Sequence, residues 1–83
     1  MPIRVRVLYF GPAREAAGVG VEEISLPDNP TLRTLVDASM RAHESLEGLS
    51  RAMRFAVNEE VAKQDRRLTD GDVVAFLPPS AGG

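Results

Sequence analysis

The stretch "TDGDVVAFLPP", residues 69–79, decides the fold. Its first four residues are turn chemistry. Gly71 supplies a positive φ, and the carboxylates of Asp70 and Asp72 bond nearby backbone amides. The next five, Val73–Leu77, are apolar without interruption, the pattern of a strand buried on both faces. Pro78 and Pro79 cannot donate to a sheet ladder, so they end the strand. A strand with no polar face belongs in the middle of a sheet, and the rest of the chain must supply its neighbours.

Residues 3–10, "IRVRVLYF", alternate. Ile3, Val5, Val7 and Tyr9 share one face; Arg4, Arg6, Leu8 and Phe10 share the other, which turns apolar at its far end. Gly11-Pro12 breaks this strand, and residues 13–17 suit a helical turn. A second strand is expected over 21–26, joined to the first as a hairpin with a wide loop, because the connection is too short for a crossover. From Thr31, a plausible N-cap, the period becomes helical: Leu32, Leu35, Val36, Ser39, Met40 and His43 fall on one stripe. The helix should end near His43 or Glu44, with a shorter helical piece over 44–52 bringing Leu46 and Leu49 to the core. Met53, Phe55 and Val57 alternate as a third strand, and Val61-Ala62 reads as a short edge strand. The order predicts an α+β domain: a mixed sheet of four to five strands with one main helix packed on one face. With the last strand central and parallel to the first, this layout resembles the β-grasp, or ubiquitin-like, fold. The division is a domain over 1–77 and a flexible reactive tail over 78–83.

Composition excludes several function classes. At 83 residues the chain makes one domain. A net charge of -2 offers no basic field for nucleic acid. The absence of cysteine removes disulfides, thiolate metal sites and any thiol nucleophile. His43 is the sole histidine, so a multi-histidine metal site is excluded. No window is long and apolar enough to span a membrane, and residues 1–10 lack a signal-peptide layout. The expected compartment is the cytoplasm. Glu22-Glu23 and Glu59-Glu60 read as solvated charge, because adjacent strand residues point to opposite faces. Asp70 and Asp72 read as turn-formers and His43 as a partly buried or surface histidine.

The ending "LPPSAGG", residues 77–83, is the chemical clue. The Pro-Pro step holds the chain extended, and residues 78–83 reach at most about 20 Å at roughly 3.3 Å per residue. Gly82 and Gly83 have no side chains, so they fit a slot that admits only backbone. The reactive group would be the α-carboxylate of Gly83. With a pKa of about 3.5 it is an anion and a poor electrophile at neutral pH. Activation as an acyl-adenylate, then displacement of AMP by a sulfur nucleophile, would leave a thiocarboxylate, a soft ionised nucleophile. The chain has no P-loop and no nucleophile–base pair, so the activating chemistry must belong to a partner.

Three segments, "VLYFGPARE" (7–15), "LTDGDVVAFLPP" (68–79) and the terminal "GG" (82–83), together resemble the MoaD family of β-grasp sulfur carriers, the small subunits of molybdopterin synthase. The resemblance implies that Gly83 accepts AMP and then sulfur, with Gly82 as the narrow approach to it. No cofactor is implied; AMP and the thiocarboxylate are transient covalent states. The implied partners are a ubiquitin-activating-type adenylyltransferase, a sulfurtransferase or cysteine desulfurase as sulfur source, and the large synthase subunit. That subunit builds the dithiolene of molybdopterin. Ser80 departs from the β-branched apolar residue common there in the family. The same chemistry suits a protein modifier, for which Lys63, the sole lysine, would limit chain-building to one linkage, and carriers for tRNA thiolation or thiamine. A non-reactive β-grasp binding module is the remaining alternative.

If the first and last strands are parallel neighbours, Leu8, Phe10, Ala75 and Leu77 share the sheet face away from the helix. They would form an apolar docking patch beside the arm of Pro78, Pro79, Ser80 and Ala81. Arg14 lies near enough in sequence to meet a partner's acidic rim.

Overall fold

The computed structural model describes residues 1–49 and 51–78. Strand β1 (Ile3–Tyr9) leads through a short helix α1 (Pro12–Ala17) into β2 (Val21–Leu26), which returns antiparallel to β1. Helix α2 (Leu32–Ala42) follows, then a 3₁₀ segment (Glu44–Leu49), β3 (Arg54–Val57), the two-residue β4 (Glu60–Val61) and β5 (Val73–Leu77). The five strands run in the order β2-β1-β5-β3-β4. Strand β5 is central, parallel to β1 and antiparallel to β3. This is the mixed β-grasp sheet that the alternation of residues 3–10 and the apolar run 73–77 predict.

Helix α2 starts where a side chain can close its first turn. The Thr31 amide donates to Thr34 Oγ1 at 3.1 Å, and the Thr34 amide returns a bond to Thr31 Oγ1 at 3.4 Å. This reciprocal cap satisfies two of the helix's orphan donors. The buried stripe Leu32, Leu35, Val36 and Ser39 faces the sheet. Against it lie Val5, Val7 and Tyr9 of β1, Phe55 and Val57 of β3, and Val74 and Phe76 of β5. Leu46 of the 3₁₀ segment is fully buried, and α1 packs against that segment. The helical layer therefore has three pieces, with α2 the longest.

Strand β5 is central without being buried on both faces, as the patch expected at Ala75 and Leu77 requires. Val74 and Phe76 are fully buried, but Val73, Ala75 and Leu77 are only half-buried. The apolar run marks a central strand, yet the sheet has a single helical layer, so one face stays open. The strand boundaries also shift: β1 ends at Tyr9 rather than Phe10, and the edge strand is Glu60–Val61 rather than 61–62.

The turn before β5 binds three strands together. The Thr69 amide and hydroxyl donate to Asp72 at 2.8 and 3.1 Å, and the Asn58 side-chain amide donates to Asp72 Oδ1 at 2.9 Å. The Val73 amide donates to Asn58 Oδ1 at 3.0 Å, which ties the β3–β4 connection to the start of β5. Asp70 accepts from the Arg4 amide at 2.9 Å, and the Gly71 amide donates to the Arg4 carbonyl at 2.9 Å. Gly71 sits at φ 88, a conformation that costs an L-residue about 1–2 kcal/mol. The β3–β4 hairpin turns through Asn58 (φ 51) and Glu59 (φ 72), both left-handed. Such two-residue turns normally place glycine at the second position, which Glu59 occupies here.

Nothing lies within 4 Å of a Cβ placed on Gly71, so Gly71→Ala tests backbone conformation alone. The variant should fold and lose about 1–2 kcal/mol, lowering Tm by roughly 5–15 °C in thermal unfolding. An unchanged Tm would show that the turn does not need its left-handed residue.

Candidate functional site

The open face of the sheet carries an apolar row that crosses all five strands. Val21 pairs with Leu8, Leu8 with Ala75, Ala75 with Ala56, and Ala56 with Val61. Directly paired residues project to the same side, so these five side chains form one band. Val21 is 52% and Val61 75% exposed, high for valines on a sheet. Phe10, just past β1, is 44% exposed. Leu8, Phe10, Ala75 and Leu77 line a shallow depression of about 380 Å³ with Ala56, Val73, Asn58 and Glu59. The structure thus gathers the four patch residues named from sequence. It adds Val21, Ala56 and Val61, whose membership depends on strand register and could not be read from local alternation.

The base of the tail, Pro78, lies at the C-terminal ends of β1 and β5. The Phe10 amide donates to the Phe76 carbonyl at 3.2 Å, carrying the parallel ladder one step beyond β1. Gly11, at φ 54 and ψ -132, then turns the chain into α1. A Cβ on Gly11 would lie 3.5 Å from the Pro78 ring, so this turn and the base of the tail are in contact. Pro78 is exposed and outside β5. Pro79, Ser80, Ala81, Gly82 and Gly83 lie outside the described residues. Arg14 is not part of the depression; its guanidinium lies against Gly20.

Behind the sheet, Glu22 corrects the sequence reading. It is not solvated charge. Its side chain, 26% exposed, accepts from the Tyr9 hydroxyl at 2.5 Å and meets His43 Nε2 at 2.6 Å. Glu22 lies opposite Val7 on β2, on the face turned toward α2, and His43 caps the C-terminus of α2. Burial, reinforced by the hydrogen bond to Glu22, pushes the Tyr9 phenol well above its ordinary range, so it remains a donor at neutral pH. Edge-to-face ring contacts run from His43 to Tyr9 (5.8 Å), Tyr9 to Phe76 (5.1 Å) and Phe76 to Phe55 (5.0 Å). This cluster holds Tyr9, and hence the neighbouring Phe10, in place. Among the described residues no group of His, Asp and Glu could hold a metal ion.

Asp72 is nearly buried. Burial opposes its charge, but the Thr69 amide, the Asn58 amide, the Thr69 hydroxyl and Arg66 together outweigh it. They hold the carboxyl below its ordinary value.

The profile of the ThiS family matches residues 7–83. The chain belongs to the ThiS family. This ThiS-family chain is 39% identical over 83 residues to a molybdopterin synthase sulfur carrier subunit of Chlamydomonas reinhardtii, covering 98% of this chain and 100% of that one. A solved Pyrococcus furiosus structure, described as a candidate molybdopterin converting factor subunit 1, superimposes with a TM-score of 0.87 at 34% identity. That match covers 94% of this chain and 99% of the other. A complex of subunits 1 and 2 of molybdopterin-converting factor from Helicobacter pylori contains a chain that matches at TM-score 0.67 and 30% identity, over 98% and 100% of the two chains. The resemblance carried by residues 7–15, 68–79 and 82–83 is therefore borne out at the level of family and fold. Among the described residues no helix is long and apolar enough to cross a membrane.

The lowered pKa of Asp72 has a definite sign. Its stabilisation is complete above the unfolded-state value of about 3.9 and is lost as pH falls through the lower folded value. Asp72→Ala, which strands the Thr69 and Asn58 donors, should cost about 1–3 kcal/mol at pH 7. The Tm gap between the native protein and the variant should narrow as the solution is acidified below about pH 4. A gap that does not change with pH would contradict a charged Asp72 in the folded turn.

Proposed function

We propose that this ThiS-family chain is the sulfur carrier subunit of a molybdopterin synthase. The observation that carries the reading is the apolar row Val21, Leu8, Ala75, Ala56 and Val61 on the open face of a sheet whose central strand β5 runs directly into Pro78. A band of this kind beside a short arm is suited to docking a protein and delivering the end of the arm to a fixed place on it.

The Gly83 carboxylate is the acceptor. A ubiquitin-activating-type adenylyltransferase converts it to an acyl-adenylate. The persulfide of a sulfurtransferase or cysteine desulfurase displaces AMP to form an acyl disulfide, and a thiol reductant cleaves its S–S bond to leave the thiocarboxylate. Pro78, Pro79, Ser80 and Ala81 form the spacer, and Gly82 gives the backbone-only approach. The large synthase subunit seats on Leu8, Phe10, Ala75 and Leu77 and receives the thiocarboxylate in its own active site, where the dithiolene is built. This chain supplies sulfur and position, and the partners supply the catalytic groups. The absence of cysteine supports the reading, because the sulfur then has one place to reside. The cytoplasm is the fitting compartment for such an exchange.

Reconstitution with the large subunit separates docking from delivery. Phe10→Ala should weaken the complex roughly tenfold to a hundredfold, as loss of an aromatic anchor does. Because Phe10 lies outside β1 and is well exposed, its Tm should move by only about 2 °C or less. Deletion of Gly83 should leave the complex and the Tm unchanged and abolish dithiolene formation. Sulfur transfer that survives the deletion would overturn the reading.

A further inference from the structure

The two sides of the open face differ in charge. On the β1–β2 side the charges are tied to one another: Arg4 and Arg6 share Glu23, at 3.6 and 3.5 Å. On the β3 side they are not. Arg54 pairs directly with Leu77 in the β3–β5 ladder, so its side chain is on the open face beside the last residue of β5. Glu59, at the other end of β3, is the one ionisable residue among the described residues that line the depression. Both are exposed, and neither forms an ion pair among the described residues. Arg54 and Val57 bound a strand roughly 10 Å long at about 3.3 Å per step, so the two charges flank the apolar band on its two long sides where it crosses β3.

Glu59 is also held firmly. Its backbone is left-handed at φ 72, where glycine would be relaxed, and the preceding Asn58 is bonded through its side chain to Asp72 and the Val73 amide. A strained carboxylate-bearing residue at the rim of a depression points to a use for that carboxylate.

We infer that Arg54 and Glu59 set the orientation of the docked large subunit, which presents a carboxylate to Arg54 beside the tail and a cationic side chain to Glu59 beside the β3–β4 hairpin. The inference rests on the functional reading above and adds a polarity to it. An apolar band alone permits two opposite seatings, and only one sends the tail toward the partner's active site. Two opposite charges on its two sides favour one seating and penalise the other by like-charge contact. The acidic contact falls next to Leu77, where the arm leaves the sheet.

The test is calorimetric titration of the large subunit with Arg54→Glu, Glu59→Arg and the double reversal, at low and high salt, with Phe10→Ala as the apolar control. Each single reversal should weaken binding about tenfold at low salt, with the loss shrinking at high salt. The milder Arg54→Ala and Glu59→Gln should lose less, in the same direction, with native melting curves. The Phe10→Ala loss should be nearly independent of salt. Reversals with native affinity and native salt dependence would overturn the inference while leaving the carrier reading intact. Dimerisation of the chain alone, dissolved by Arg54→Glu, would assign the face to a second copy and overturn it too. No binding by the native chain would overturn the carrier reading and this inference together.

Discussion

The parallel register of β5 against β1 is the constraint on which the rest depends. The two strands are separated by most of the chain, so no local turn can set their pairing, and the entropy of closing so long a loop opposes it. The turn over residues 69–72 offsets this. Asp70 accepts from the Arg4 amide, the Gly71 amide bonds the Arg4 carbonyl, and the Arg6 amide bonds the Asp72 carbonyl at 2.9 Å. The polar turn grips the start of β1 before the apolar ladder Val7–Val74 and Tyr9–Phe76 begins. On its other side Asp72 and Asn58 hold the β3–β4 hairpin, so a single turn sets the register on both flanks of β5.

From that register the proposed docking surface follows. Val74 and Phe76 are committed to the helical layer, so Ala75 and Leu77 must face outward, beside Leu8 and opposite Ala56 and Arg54. The parallel pairing also brings the ends of β1 and β5 to the same edge, where Phe10, Gly11 and Pro78 meet. A one-residue slip of β5 would exchange its faces, bury Ala75 in place of Phe76 and break the ring contacts with Tyr9 and Phe55. Fold stability and presentation of the tail therefore rest on the same hydrogen bonds.

Much of this was legible in the sequence, for reasons that can be traced to particular residues. The alternation of residues 3–9, the helical stripe Leu32, Leu35, Val36 and the turn at Gly71 each carry a local period or a local backbone demand. What stayed hidden depends on contacts between distant positions. Glu22 looks like one of two surface glutamates until β2 register sets it against Tyr9 and α2 brings His43 to it. The left-handed hairpin at Asn58 and Glu59 lacks the glycine that would announce it. Val21 and Val61 join the apolar band only once both edge strands are paired. The run 73–77 alone carries only the central position of β5; its uncovered side became legible when a single main helix was set against a sheet with two apolar faces.

The proposed function stands on Gly83 as the carrier of sulfur. The most direct measurement is the intact mass of the chain after incubation with its adenylyltransferase, ATP and a sulfur donor, with fragmentation to place any change. The predicted result is exchange of one oxygen for sulfur at Gly83, dependent on ATP and absent when Gly83 is deleted. An unmodified mass, with the same adenylyltransferase shown to activate another carrier, would contradict it.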